Sequence, residues 1–114
     1  MNWQRRVATF ARQHGLLHAP TVHALDLAAE VGEVAKAVLE STEYGEGPFQ
    51  NADDLRAEIG DALYSLLALA ETCGVDAGEA LEEALAKYED RLSQTGQAGS
   101  QPQARRSQSA ARNS

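Results

Sequence analysis

No stretch of this chain alternates apolar and polar residues with a period of two, whereas four stretches repeat them with the period of a helix. That contrast disfavours a sheet and predicts an all-α fold. Trp3, Val7, Phe10 and Ala11 mark a first helix over 2–14, with Arg5, Arg6 and Arg12 between them and Gly15 as its stop signal. After a loop over 15–20, Leu25, Ala28, Val31, Gly32, Ala35 and Leu39 fill one arc of a second helix over 21–41, with Thr21 placed to cap it. Residues 44–51, with Gly45, Gly47 and Pro48, break the pattern. A third helix follows over 52–73, behind Asn51 or Asp53 as its cap. Between Ala62 and Ala70 it carries no charge at all, so this is the segment expected to be most buried. Gly74 ends it, and Ala80, Leu81, Ala84, Leu85, Tyr88 and Leu92 outline a fourth helix over 76–93.

Beyond Ser93 the composition changes to Gln, Ser, Ala, Gly and Arg, with no Leu, Val, Ile or aromatic residue. Such a segment cannot offset the entropy of ordering, so residues 1–93 read as one domain and 94–114 as a disordered low-complexity tail. Three of the ten bases fall in the tail, which leaves seven against 17 acids in residues 1–92, a charge of −10. A domain of that sign repels nucleic-acid backbones and anionic membranes. Neither is an expected partner. Cys73, the one cysteine, excludes an internal disulfide and reads as a small buried hydrophobe. No signal peptide and no apolar run of membrane-spanning length is present, and a cytoplasmic protein is expected.

One phrase occurs twice. Glu30-Val31-Gly32-Glu33 and Glu58-Ile59-Gly60-Asp61 each place two carboxylates three residues apart, hence on one face of a helix. Pairs of this kind are usually solvated, and Glu30 and Glu33 alone would be unremarked. Glu58 and Asp61 differ, because they are the only charges between Ala57 and Ala70 and Glu58 borders the densest apolar face. A carboxylate there needs a partner or a metal. Four converging carboxylates repel one another unless a cation intervenes, and hard oxygen donors suit Mg²⁺, with Mn²⁺ as a substitute. Gly32 and Gly60 each cost on the order of 1 kcal/mol against alanine in a helix, and a close approach of another helix would explain both.

Glu-x-x-Glu, 24 intervening residues, then Glu-x-x-Asp on helices resembles the all-α nucleoside triphosphate pyrophosphohydrolases, the MazG-like superfamily of dUTPase, dCTPase and MazG type. The likeness covers about residues 3–92. It runs through Leu27 to Val34, through Glu58 to Leu67, through the turn Ala70 to Asp76, and through Lys87-Tyr88-Glu89-Asp90-Arg91. It implies a bundle of four to five helices completed by oligomerisation into a homodimer or homotetramer, with apolar faces on the first and third helices at the interface. It implies Glu30, Glu33, Glu58 and Asp61 as Mg²⁺ ligands. The reaction implied is cleavage of a (d)NTP between the α- and β-phosphates to the monophosphate and pyrophosphate, in house-cleaning of the nucleotide pool.

By the same resemblance Lys87 and Arg91 contact the polyphosphate, and His18, in the phrase His18-Ala19-Pro20, borders the nucleotide. His14 and His23 carry little signal of their own. Three departures matter. A second Glu common before the first motif acid is Ala29 here, an asparagine of the last helix is Leu85, and the tryptophans that some members use around the base are absent, Trp3 at the N-terminus being the only one. Glu33 is then the first choice of general base, with Glu58 beside it in the catalytic set. A phosphoribosyl-ATP pyrophosphohydrolase and a non-catalytic cation- or nucleotide-binding bundle are the alternatives.

Overall fold

The structure, a computed structural model, describes residues 2–50 and 53–96. Four helices account for it: α1 (Trp3–Gln13), α2 (Pro20–Ser41), α3 (Asp53–Thr72) and α4 (Ala77–Thr95), with no strand among the described residues. The fold is all-α, as the periodicity predicts. The chain forms two compact units, one through Ala77 and one from Gly78 on. α4 takes in Gln94 and Thr95, so the helix runs past the expected boundary at 93. The remainder of the expected tail lies outside the described residues, as does Asn51, one of the two caps expected for α3.

Local chemistry explains the helix ends. The Asn2 side chain accepts a hydrogen bond from the Arg5 N–H at 3.0 Å and caps α1. Gly15 and Gly74 sit just past α1 and α3 at φ +65° and +69°, the left-handed conformation that glycine adopts without strain. At each, the next residue reaches back to close the helix, Leu16 N–H to Ala11 O at 2.7 Å and Val75 N–H to Ala70 O at 2.9 Å. α2 departs from expectation. Pro20, not a residue after Thr21, is its first residue, because proline's fixed φ is suited to that position and its missing N–H is no loss there. Thr21 therefore lies inside the first turn and caps nothing. At the far end the turn places Glu43 and Tyr44 at φ +53° and +57° without a glycine.

Thr72, at the end of α3, hydrogen-bonds to the backbone just before α2, so the end of α3 lies beside the start of α2. The two helices thus run antiparallel. Their inward residues are spaced alternately three and four apart, as in a coiled coil: His23, Leu27, Glu30, Val34, Ala37 and Ser41 on α2, and Leu55, Glu58, Ala62, Ser65, Leu69 and Thr72 on α3. Each of these is at least partly buried. α1 packs on another face of α3, where Gln4 and Arg12 clasp Glu71. The core is small. Ala8, Ala11, Ala37, Leu67, Ala68 and Ala70 are its buried apolar residues, with His23 and Ser65 beside them. Half of these fall between Ala62 and Ala70, the uncharged run.

Two expectations fail. Among the described residues no heavy atom outside their own helix turns lies within 4 Å of a Cβ built on Gly32 or Gly60, so neither glycine meets a closely approaching helix there. Both lie off the α2–α3 seam, which is where the helices meet. Cys73 is exposed, not buried, because α3 ends at Thr72 and the chain turns away through Gly74. Trp3 and Phe10, on the apolar face of α1 that the resemblance assigns to an interface, are 65% and 50% exposed. With Val7, Leu63, Tyr64 and Leu67 they line an open apolar groove of about 350 Å³. No described helix is long and apolar enough to cross a membrane.

Candidate metal and nucleotide site

The seam between α2 and α3 carries no carboxylate along most of its length and is acidic at one level. Glu30 occupies a seam position on α2, and Glu58 occupies one on α3. Asp61 stands three residues after Glu58, hence one turn along the same side, and is exposed. Carboxylate oxygens from Glu30, Glu58 and Asp61 all lie within 4.8 Å of one another. Around a Mg²⁺ ion with oxygens at about 2.1 Å, neighbouring ligands stand about 3 Å apart and opposite ones about 4.2 Å apart. Three hard oxygen donors at this spacing fit such an ion with little rearrangement, and no nitrogen or sulfur ligand joins them among the described residues.

The electrostatics agree. The Glu58 carboxyl is pushed above its ordinary value, first by loss of solvent and then by the charges of Glu33, Asp61, Glu30 and Asp54. No base opposes those acids in setting the shift. Asp54 was absent from the sequence reading, although its place one turn before Glu58 could have suggested it. Glu33 is exposed on α2 and stays outside the group whose oxygens converge, yet its charge acts on Glu58 more strongly than that of Asp61.

The remaining expected residues are distributed as follows. His18 lies in the loop before α2 with its side chain exposed, and its ring stacks on that of His23 at 5.7 Å and 28°. His23 is itself two turns before Glu30 on one face of α2, about 10 Å along the axis. Lys87 and Arg91 belong to the second unit, where both approach the Tyr88 ring, at 5.6 and 5.9 Å from its centre. The structure thus brings together Glu30, Glu58 and Asp61, keeps Glu33 beside them, and carries Lys87 and Arg91 on α4. His23, passed over in the sequence, is buried and hydrogen-bonded to the His18 backbone.

A family model described as the MazG nucleotide pyrophosphohydrolase domain matches residues 19–95, from the residue before α2 to the last residue of α4. No curated protein and no solved structure matches the chain.

Proposed function

The chain belongs to the MazG nucleotide pyrophosphohydrolase family, and we propose that it is a Mg²⁺-dependent enzyme that cleaves (d)NTPs between the α- and β-phosphates. The observation that carries this reading is the convergence of Glu30, Glu58 and Asp61, with only acids among the charges that act on Glu58. In this reading those three hold Mg²⁺, or Mn²⁺ in its place, with Glu33 completing the set. When bound, the ion neutralises the phosphate oxygens and the leaving pyrophosphate. The chain's own residues do the rest. Glu33, exposed beside the convergent three, takes a proton from the attacking water as its oxygen bonds to the α-phosphorus. The bridging P–O bond breaks, and pyrophosphate leaves with that oxygen. Lys87 and Arg91 draw the polyphosphate by charge, and His18 borders the nucleoside. Ala29 withholds a further carboxylate, which places the base role on Glu33 alone.

The working form is a homodimer or homotetramer built on residues 1–93. A core with so few buried side chains, and Trp3 and Phe10 half exposed along a groove on α1 and α3, favours a second copy as the cover. Light scattering on the purified chain checks this, since a monomer at micromolar concentration rejects it. The role is house-cleaning of the nucleotide pool, in the cytoplasm where such substrates are found.

Purified protein with Mg²⁺ and a panel of NTPs and dNTPs, resolved by ion exchange, tests the activity. Monophosphate plus pyrophosphate, lost in Glu58→Gln and on chelation, is the expected result. Diphosphate plus phosphate, or turnover that survives Glu58→Gln, overturns it.

A further inference from the structure

His18 is a loop residue whose ring faces solvent, yet both of its backbone polar groups are held by side chains. Its N–H donates to Nε2 of His23 at 2.9 Å, from the first turn of α2. Its carbonyl accepts from Oγ1 of Thr72 at 2.8 Å, from the last turn of α3. Loops ordinarily satisfy such groups with water or with their own backbone. Here two helices each contribute one side chain to the same residue, and the His23 ring stacks on the His18 ring as well. His23 is 3% exposed. To accept at Nε2 it must be the neutral tautomer with its proton on Nδ1. An apolar residue would fill this seam position at lower desolvation cost, and the acceptor is what histidine adds.

We infer that His23 and Thr72 are positioning residues, which fix the backbone of His18 so that its ring is presented in one orientation to the nucleotide. The inference rests on the reading of His18 as a nucleotide contact. It extends that reading to two residues outside the carboxylate cluster, each acting through His18 rather than on substrate. A fixed ring loses little freedom on binding, so the clamp acts on nucleotide affinity. Chemistry at the carboxylates is left alone.

Two paired substitutions test it. His23→Leu and Thr72→Val remove the acceptor and the donor while keeping bulk, and His23→Gln and Thr72→Ser restore them. In His23→Leu, amide exchange at His18 is expected to rise at least about ten-fold over the neighbouring loop amides. KM for the preferred nucleotide is expected to rise about five- to ten-fold in either variant, the size of one hydrogen bond, with kcat within about two-fold. The restoring variants return KM to near the starting value. In a His18→Ala background His23→Leu adds nothing further to KM.

A KM that stays put while His18 exchanges freely overturns the inference, and so does an effect that simply adds to His18→Ala. Unchanged exchange at His18 in His23→Leu shows that no clamp exists. Absence of turnover in the unmodified chain fails the activity reading instead, and takes the nucleotide role of the clamp with it. A lowered Tm with unaltered KM assigns His23 to stability alone.

Discussion

Glu58 and Glu71 stand on the same helix, both partly buried, and their surroundings push them in opposite directions. Glu71 is held below its ordinary value by hydrogen bonds from Arg12 and then Gln4. Arg12 Nη2 donates to Oε2 at 2.6 Å and Gln4 Nε2 to Oε1 at 3.1 Å. The same Gln4 also donates to Val75 O at 2.9 Å and accepts from Ala77 N–H at 2.7 Å, so the clasp ties α1 to the end of α3 and the turn beyond. Glu58 has acids for neighbours and is raised. One carboxylate accepts a hydrogen bond on each of its oxygens, and among the described residues the other is set only against like charges. A group that stabilises the fold is satisfied by the fold, and a group that waits for a ligand is left short. That is the pattern expected of a metal site assembled in advance of its ion.

The largest effect that would separate the two is on turnover. Glu58→Gln is expected to lower kcat by about 10³-fold or more, since on the proposed reading it removes a ligand carboxylate at the reacting phosphates. Glu71→Ala should leave kcat within about three-fold. Equal losses in steady-state assays would mean that the cluster has no special place in the chemistry.

Stability should invert the order. Glu71→Ala removes two hydrogen bonds, and about 1–2 kcal/mol is the expected cost. The lower part of that range applies to the Arg12 arm, whose side chain is 59% exposed. For a domain of this size the change lowers Tm by several degrees. Glu58→Gln, measured without divalent cations, is expected to raise Tm, because it removes a charge repelled by four others. Adding Mg²⁺ should then raise Tm in the unmodified chain and in Glu71→Ala but not in Glu58→Gln. A melt in which Glu58→Gln is the less stable variant without cations would show that the cluster is structural.

The pH dependence follows from the two directions. Glu71, depressed below 4.5, contributes stability that is fully present above 4.5 and lost as pH falls through its folded value. Glu58, raised above 4.5, contributes stability that is present below 4.5 and lost as pH rises through its folded value. In thermal melts without metal, Glu71→Ala should therefore flatten the acid limb, and Glu58→Gln should flatten the decline on the other side. If both substitutions act on the same limb, the contrast between the two carboxylates is mistaken.

The contrast also marks what could be read from the sequence. Glu30, Glu58 and Asp61 were legible because helical spacing is local: an acid three residues from another shares its face wherever the helix goes. Glu58 stood out because an uncharged run surrounds it. The Glu71 clasp was not legible, since its partners lie 59 and 67 residues away and only the packing of α1 on α3 brings them there. His23 was hidden for a related reason. A histidine five residues after another says nothing until the turn at Pro20 folds one onto the other. Gly32 and Gly60 misled because a missing side chain permits a close approach without requiring one. Cys73 was misplaced because lying on an apolar stretch does not put a residue on the packed side, and it falls off the seam just past the end of α3.

The smallest expected effect falls between the two carboxylates on α3, at Tyr64. Its hydroxyl is buried and finds no hydrogen-bond partner among the described residues, while its ring meets Phe10 edge-on at 6.3 Å. In an isolated chain the hydroxyl costs desolvation and returns nothing, so Tyr64→Phe should stabilise by up to about 1 kcal/mol. Tyr64 also lines the groove of Trp3 and Phe10, where a second copy is proposed to sit. If that copy supplies the missing partner, Tyr64→Phe weakens association, and the apparent stability falls with dilution more steeply than in the unmodified chain. Melts of both chains over a hundred-fold range of concentration distinguish the cases. A stabilised, concentration-independent Tyr64→Phe would mean that this hydroxyl, unlike the carboxyl of Glu58, is not waiting for anything.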